Sequence, residues 1–249
     1  MERGAYEQYQ SEIGNWLKQG RIRLLRAMLA EIADPGRTLE LLEVGAGVGQ
    51  NLPVLAERGP VDVVEIDQLG LAELRTRSDV REIYDRPIPF DLRRTYDVIV
   101  AFDVLEHIAD DREAAAWICD RLAPGGHLIA SVPAYQWLFS DHDVALQHFR
   151  RYTRARLVAA LPAGMTVRRS GYFVSLLFPL AAASRVVGKL ARRLRGPGEV
   201  ARKQSAAVPG PLDRLFRGLL DIEVGAFERG ITAPFGLSVI CVARKEAAT

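Results

Sequence analysis

An acid followed by glycines at every second position is the most chemically informative pattern in this chain. The residues are Glu43, Gly45, Gly47 and Gly49. Glycine accepts a positive φ and has no Cβ, so the backbone can turn sharply and lie close to a ligand. The apolar run 39–44 predicts a buried parallel strand, and residues 50–58 predict a helix. A glycine-rich turn between a strand and a helix is typical of a nucleoside-binding βαβ unit.

A second acid occupies the tip of the next predicted strand, 61–66. Glu65 comes at the end of this apolar run, and Asp67 follows two residues later. In a βαβ unit, a carboxylate at this place accepts hydrogen bonds from the two hydroxyls of a ribose. We predict that Glu65 has this role, with Asp67 as the alternative.

Candidate groups for proton transfer lie in the aromatic-rich segment 133–152, which follows the fifth predicted strand. A histidine oriented by a carboxylate can remove a proton. We therefore predict that His142 and Asp143 act as an oriented base and that His148 holds the substrate. Metal ligation by these three side chains is an alternative, but no third strong ligand is evident and no metal is assigned. The other alternative is a structural polar network that closes a lid, formed by Asp141, His142, His148 and Arg151.

Apolar runs alternate with helical patterns along the chain, which indicates a doubly wound α/β sheet. The predicted strands are 39–44, 61–66, 80–84, 96–102, 127–132 and 166–173. One long amphipathic helix or two short ones over 8–33 precede them. Right-handed crossovers bring the C-terminal ends of parallel strands to one edge, where ligands bind. The glycine loop, Glu65 and Phe102 fall on that edge.

Four motifs occur in an order and spacing that resemble the class I S-adenosylmethionine (SAM)-dependent methyltransferases. They are the glycine loop, the acidic strand tip, the Asp-Val-Leu-Glu-His segment 103–107 and the Leu-x-Pro-Gly-Gly-x-Leu turn 122–128. The resemblance covers residues 39–173 and resumes at a C-terminal strand, 235–243. It implies a Rossmann-like seven-stranded sheet with an antiparallel last strand, and SAM as the methyl donor.

The resemblance also implies which residues bind SAM: Glu43, Gly45, Gly47, Gly49, Glu65, Ile66, Asp85, Ala101, Phe102 and His107. Glu43 and the glycines would shape the pocket for methionine and ribose. Ala101 and Phe102 would face the methionine amino group, and Ile66 would pack on adenine. Asp85, or its neighbour Tyr84, would reach the adenine amine, although the sequence there departs from the family's usual Gly-Asp-Ala-like pattern. His107 is either a cofactor contact or a residue bonded to the local backbone.

The predicted organisation is an N-terminal helical segment (1–36), a SAM-binding core (37–173), a helical insertion (174–233) and a final strand with a tail (234–249). The insertion opens with an uncharged run, 171–184, which is shorter than the roughly 20 residues that span a bilayer. One predicted helical face is apolar and the other basic, with Val186, Val187, Leu190 and Leu194 opposite Arg185, Lys189, Arg192, Arg193 and Arg195. A lid or dimer-forming helical pair whose apolar side packs on the core is predicted, with peripheral membrane contact through 172–195 as the alternative.

The net charge, the glycine spacing and the N-terminal residues argue against several other classes of protein. The net charge of +2 gives no general attraction to nucleic acid, so no nucleic-acid partner is expected. A dehydrogenase would carry Gly-x-Gly-x-x-Gly, whereas one residue separates Gly47 from Gly49. The first four residues lack the pattern of a signal peptide, which predicts a cytoplasmic location, with the inner membrane face as an alternative.

Taken with the family resemblance, these properties lead us to expect methyl transfer to a small, lipophilic or natural-product acceptor. The alternatives are a non-catalytic SAM-binding subunit and a nucleic-acid or protein methyltransferase.

Overall fold

A computed structural model describes residues 15–34, 36–195 and 210–247. These residues form a seven-stranded sheet in the order β3-β2-β1-β4-β5-β7-β6. Its strands are β1 (Leu41–Val44), β2 (Val61–Val64), β3 (Glu82–Tyr84), β4 (Tyr96–Phe102), β5 (Leu122–Pro133), β6 (Met165–Phe173) and β7 (Ser238–Lys245). Strands β1 to β5 pair in parallel, whereas β7 runs antiparallel to both β5 and β6. The predicted fold class, with its antiparallel last strand, is confirmed.

Eight α-helices of the described chain flank the sheet. They are α1 (Asn15–Ile32), α2 (Leu52–Ala56), α3 (Gln68–Leu74), α4 (Asp111–Arg121), α5 (Asp141–Ala145), α6 (Arg154–Ala160), α7 (Phe178–Arg195) and α8 (Gly210–Glu228). Two 3₁₀ turns, Leu105–His107 and Gln136–Leu138, lie between them. The predicted N-terminal helix is found from Asn15 onward, and residues 8–14 lie outside the described part.

The seven predicted strands all exist, but several of their ends differ from the prediction. Strand β2 ends at Val64 rather than at residue 66, so Glu65 lies just beyond the last paired residue. Strand β5 starts earlier than predicted, because Leu122 already pairs with Tyr96 before the irregular Pro-Gly-Gly stretch. Pairing then resumes where Val98 meets His127.

Two apolar cores lie on opposite faces of the sheet. One joins α1 and α8 to β1 and β2, with Leu25, Met28 and Leu220 among its fully buried side chains. The other joins α4 and α6 to β4 and β5 through residues such as Ile118. Helices α1 and α8 approach closely at Gly20, where a Cβ atom would lie 2.3 Å from a Leu220 methyl carbon. The two cysteines, Cys119 and Cys241, are buried free thiols.

The insertion between β6 and β7 consists of α7 and α8, with residues 196–209 outside the described part. Helix α8 packs on α1, where Trp16 and Phe216 meet edge to face at 5.2 Å. The prediction that the apolar side of this insertion packs on the core is wrong at the centre of α7. Val186 and Val187 are more than half exposed, while Arg185 turns inward and donates hydrogen bonds to residues of the core domain. None of the described helices is long and apolar enough to cross a membrane.

Candidate active site

A cavity of about 1110 Å³ lies at the C-terminal edge of the parallel strands. Its lining comes from the glycine loop, the tip of β2, the end of β4 and the segment that follows β5. The insertion contributes Ala181 and Arg185 from α7. Small-molecule pockets usually have volumes of roughly 300–1,000 Å³, so this cavity has room for a nucleoside cofactor together with a small acceptor.

The glycine loop needs glycine for its backbone shape. Gly45, Gly47 and Gly49 have φ angles of 71°, 57° and 77°. A Cβ atom at Gly45 would lie 2.6 Å from a methyl carbon of Val104, and one at Gly49 would lie 2.4 Å from a methyl carbon of Leu52. Gly45 and Gly47 line the cavity, whereas Gly49 shapes the turn that enters α2.

Glu65 links the tip of β2 to the glycine loop. Its Oε2 accepts a hydrogen bond of 2.6 Å from the backbone N–H of Gly47, and its Oε1 accepts hydrogen bonds from the N–H groups of Ile66 and Asp67. The alternative acid, Asp67, instead accepts hydrogen bonds from the N–H groups of Leu69 and Gly70 and so caps α3. A carboxylate oxygen can accept two hydrogen bonds, so Oε2 of Glu65 has room for one more donor.

Glu43 lies behind the loop rather than on the cavity surface. Asn51 donates a hydrogen bond of 2.7 Å to its Oε1, while its Oε2 has no hydrogen-bond partner among the described residues. Burial raises the pKa of Glu43 to about 8, and the nearby Glu65 carboxylate also raises it, against the opposing hydrogen bond from Asn51. In these surroundings Glu43 is therefore largely neutral at pH 7.

The other predicted cofactor residues have different placements. Ile66 lines the cavity with 60% of its surface exposed, as an apolar platform for a flat ring would be. Phe102 also lines the cavity, and Ala101 is fully buried in β4 beside it. Asp85 is exposed, pairs with Arg75 at 3.5 Å and is not part of the cavity lining in the described chain. Pro87 and Ile88 line the cavity in that region instead.

The structure brings Asp143 to His148. Asp143 is fully buried, and its Oδ1 lies 3.0 Å from Nδ1 of His148 and accepts a 2.7 Å hydrogen bond from Nε of Arg151. His142 lines the cavity but is exposed, on a different side of α5 from the buried Asp143. The histidine that the structure shows in contact with Asp143 is therefore His148, and the role of His142 as an oriented base stays a prediction.

Asp143 is held as an anion by its neighbours. Burial by itself would raise its pKa, but the hydrogen bonds from His148 and Arg151 hold that pKa well below the usual range. Its Oδ2 accepts hydrogen bonds from both the backbone N–H and the hydroxyl of Ser140, which starts α5. Because the carboxylate carries no proton, Nδ1 of His148 must be the donor, and Nε2 is the ring nitrogen left for a ligand.

Arg185 extends this network from the insertion. It donates hydrogen bonds of 2.8 Å and 2.7 Å to the carbonyl oxygen of Leu138 and the hydroxyl of Ser140. Its guanidinium also lies 3.6 Å from Oδ2 of Asp143. Helical periodicity placed Arg185 on the basic outer face, so no pattern in the sequence indicated this contact.

Glu106 is a functional candidate that the sequence interpretation missed. It borders the cavity, is fully buried, and neither of its carboxylate oxygens has a hydrogen-bond partner among the described residues. Burial and the nearby Asp103 raise its pKa well above the usual range. His107 lines the cavity beside it, and burial together with His148 lowers the pKa of His107 to about 4. Its ring meets the His148 ring edge to face at 4.5 Å.

A family model described as "Methyltransferase domain" matches residues 16–164 of this chain, which is more than half of its length. The chain belongs to this family. It is a class I SAM-dependent methyltransferase by family and fold, and the SAM cofactor expected from the sequence follows from that membership. No curated protein sequence matches the methyltransferase significantly.

Solved structures share the fold of the methyltransferase at low sequence identity. A protein provisionally identified as a sarcosine dimethylglycine methyltransferase from Galdieria sulphuraria is 16% identical over 92% of this chain and 85% of its own, with a TM-score of 0.58. Coclaurine N-methyltransferase, bound to N-methylheliamine and S-adenosylhomocysteine (SAH), is 14% identical over 92% and 73%, with a TM-score of 0.57. The N-methyltransferase NodS from Bradyrhizobium japonicum WM9, in complex with SAH, is 18% identical over 67% and 88%, with a TM-score of 0.51.

Proposed function

We propose that this methyltransferase transfers a methyl group from SAM to a small lipophilic molecule. The observation that supports this proposal is that one cavity joins the glycine loop and Glu65 to the polar cluster around His148. Its surface between these ends is mainly apolar and includes Phe102, Val104 and Leu237. A donor and an acceptor that bind there are held close together and away from bulk water, which is the main requirement for an in-line displacement.

The residues of the loop fit the cofactor. The positive φ angles keep Gly45 and Gly47 free of side chains, so the backbone can approach the nucleoside. A ribose hydroxyl can donate to the free acceptor position on Oε2 of Glu65, and Ile66 offers an apolar surface for adenine. When bound, SAM supplies an activated methyl group on a positively charged sulfur, and the protein's task is to align the acceptor with it.

The acceptor end of the cavity is bordered by exposed apolar side chains. Val144 and Phe149 line the cavity with 63% and 58% of their surfaces exposed. Apolar surface of this kind beside a few convergent polar groups is typical of a pocket for an amphipathic small molecule. His148 lines the cavity and is oriented by Asp143, so we infer that Nε2 is the ring nitrogen available to an acceptor. Coclaurine N-methyltransferase, which shares the fold, is bound to the small molecule N-methylheliamine, which agrees with this class of acceptor.

The experiment combines calorimetry of SAM and SAH with transfer of label from methyl-tritiated SAM into a fractionated host-cell extract. We expect SAM and SAH to bind, Glu65→Ala to weaken both, and label to enter the organic phase. His148→Ala should abolish transfer and keep SAM binding, whereas His142→Ala should affect transfer less. Binding without transfer would favour a non-catalytic subunit, and label in macromolecules would favour a nucleic-acid or protein methyltransferase. Failure of both ligands to bind would refute the cofactor site.

Three further expectations remain proposals: a cytoplasmic location, a homodimer and peripheral membrane contact through 172–195. Leu180, Val186 and Val187 are 66%, 53% and 65% exposed on α7, which supports contact of this helix with another apolar surface. We favour an anionic membrane surface, because basic residues dominate the segment 185–217.

A further inference from the structure

Three potential metal ligands converge at the acceptor end of the cavity. Glu106, His107 and His148 each offer one donor atom, and these atoms all lie within 4.8 Å of one another. The first two follow one another in the 3₁₀ turn after β4, while His148 comes from the loop after α5. A backbone hydrogen bond of 2.7 Å, from Phe149 N–H to the carbonyl oxygen of Glu106, holds the two segments together.

Glu106 is the observation that points to a ligand. Its side chain is fully buried, and neither carboxylate oxygen meets a hydrogen-bond donor within the described residues. Leaving a buried carboxyl group without a hydrogen-bond partner is unfavourable, because the group has lost its water and gained nothing in exchange. A cation bound between Glu106 and the two imidazoles would supply the missing partner.

His148 has the arrangement of a metal-ligating histidine. Its Nδ1 is bonded to the buried Asp143 carboxylate, which fixes the ring and leaves Nε2 free toward the cavity. A carboxylate behind an imidazole in this manner orients the ring and increases its basicity toward a metal. Arg151 holds the same carboxylate at 2.7 Å, so the support is rigid.

We propose that Glu106, His107 and His148 bind one divalent transition-metal ion, such as Zn²⁺, beside the acceptor. Two imidazoles and one carboxylate are a common ligand set for Zn²⁺ and its neighbours in the first transition series, and three protein ligands leave positions open for a substrate. Typical bonds of about 2.0–2.1 Å place the donor atoms of a tetrahedral site roughly 3.3 Å apart, so atoms near the 4.8 Å limit must draw together by up to about 1.5 Å through side-chain rotation.

This site would select an acceptor with a hydroxyl group, an extension that rests on the proposed methyl transfer. A hydroxyl bound to a divalent ion loses its proton more readily. The O–H bond then breaks with release of the proton, and the oxygen forms a bond to the methyl carbon. The bond from that carbon to sulfur breaks, and its electron pair neutralises the sulfonium. The products are a methyl ether, SAH and one proton.

The test is calorimetric titration of the untagged, metal-stripped protein with Zn²⁺, together with the visible absorption of bound Co²⁺. We expect one ion per chain. Glu106→Gln preserves shape and replaces the carboxylate ligand by a neutral amide, and should weaken binding at least about 100-fold and change the Co²⁺ spectrum. Asp143→Asn should weaken it by about 10–100-fold through His148. His142→Ala removes an imidazole from the same cavity and serves as the matched control, with unchanged metal binding.

The possible results separate this inference from the proposed function. Absence of stoichiometric metal binding, or full affinity in Glu106→Gln, would overturn the metal site. Loss of metal in His142→Ala would also overturn it, since the ligands would then be a different set. Separate titration with SAM shows whether the cofactor site holds when the metal site fails. If the metal binds, transfer of label to a hydroxyl acceptor should fall when the ion is removed and return when it is restored. Transfer that persists without the ion would refute the role in acceptor selection.

Discussion

Replacement of Glu43 by glutamine should make the protein, measured without added ligand, more stable than the wild type as the pH rises. The carboxyl group is buried, and among the described residues only Asn51 donates a hydrogen bond to it, while Oε2 has no partner. Burial raises its pKa in the folded chain to about 8. Its ordinary value is 4.5. Between these pH values, the unfolded chain releases a proton that the folded chain retains, and the wild-type stability falls as the pH increases. The glutamine side chain of the variant has no such proton to release.

The difference in the free energy of unfolding between Glu43→Gln and the wild type should therefore grow by about 1.4 kcal/mol per pH unit from pH 4.5 to 8. Over this range it reaches at most about 5 kcal/mol, and groups unchanged by the substitution cancel in the difference. Urea unfolding at several pH values measures it, with Glu82→Gln, a change at an exposed glutamate of β3, as the baseline. A difference that stays constant from pH 5 to 8 would refute the assignment of a neutral buried Glu43.

Three other perturbations test the remaining parts of the structure. Gly45→Ala adds a methyl group 2.6 Å from a valine methyl at a positive φ and should weaken SAM binding at least about tenfold in calorimetry. Gly164→Ala is its control, because a Cβ there meets nothing within 4 Å and the affinity should not change. Asp143→Ala leaves two arginines without their buried carboxylate and should cost about 3–5 kcal/mol in urea unfolding, whereas a loss below about 1 kcal/mol would contradict the network. The double change Val186→Ser and Val187→Ser should reduce flotation with anionic vesicles while SAM binding persists. Equal flotation of the variant and the wild type would show that the two valines do not contact the membrane. A wild-type mass of twice the monomer would indicate a dimer instead.

The sheet and the cofactor end of the cavity could be predicted from the sequence because their signals are local. The glycines must follow β1 directly, and an acid after β2 falls on the same edge as the glycine loop in any right-handed βαβ unit. Glu65 and the loop therefore come together as predicted, with the carboxylate of Glu65 bonded to Gly47 N–H. Asp85 is different, since it lies after the short edge strand β3, where no pattern fixes the direction of the chain.

The acceptor end could not be predicted in this way, because its contacts depend on side-chain direction and on loops. Adjacent residues of a helix point about 100° apart, so a carboxylate next to a histidine in the sequence does not by itself orient that histidine. Asp143 turns into the protein, where the following loop brings His148 back to it. In the sequence, Glu106 is only the acid of the Asp-Val-Leu-Glu-His segment. That its carboxylate is buried without a partner among the described residues is visible only in the structure.

The same turn of α7 connects the acceptor end of the cavity to the surface. Arg185 reaches inward to Ser140 and Asp143, the residues that start α5 and orient His148, while Val186 and Val187 face outward. A surface that binds the two valines would hold this turn in place, and with it the guanidinium that lies 3.6 Å from Oδ2 of Asp143. Conversely, a rotation of α7 that buried the valines against the core would withdraw Arg185 from the network. The insertion is therefore a component of the cavity lining, and under the proposed function contacts on its outer face should bear on the orientation of His148.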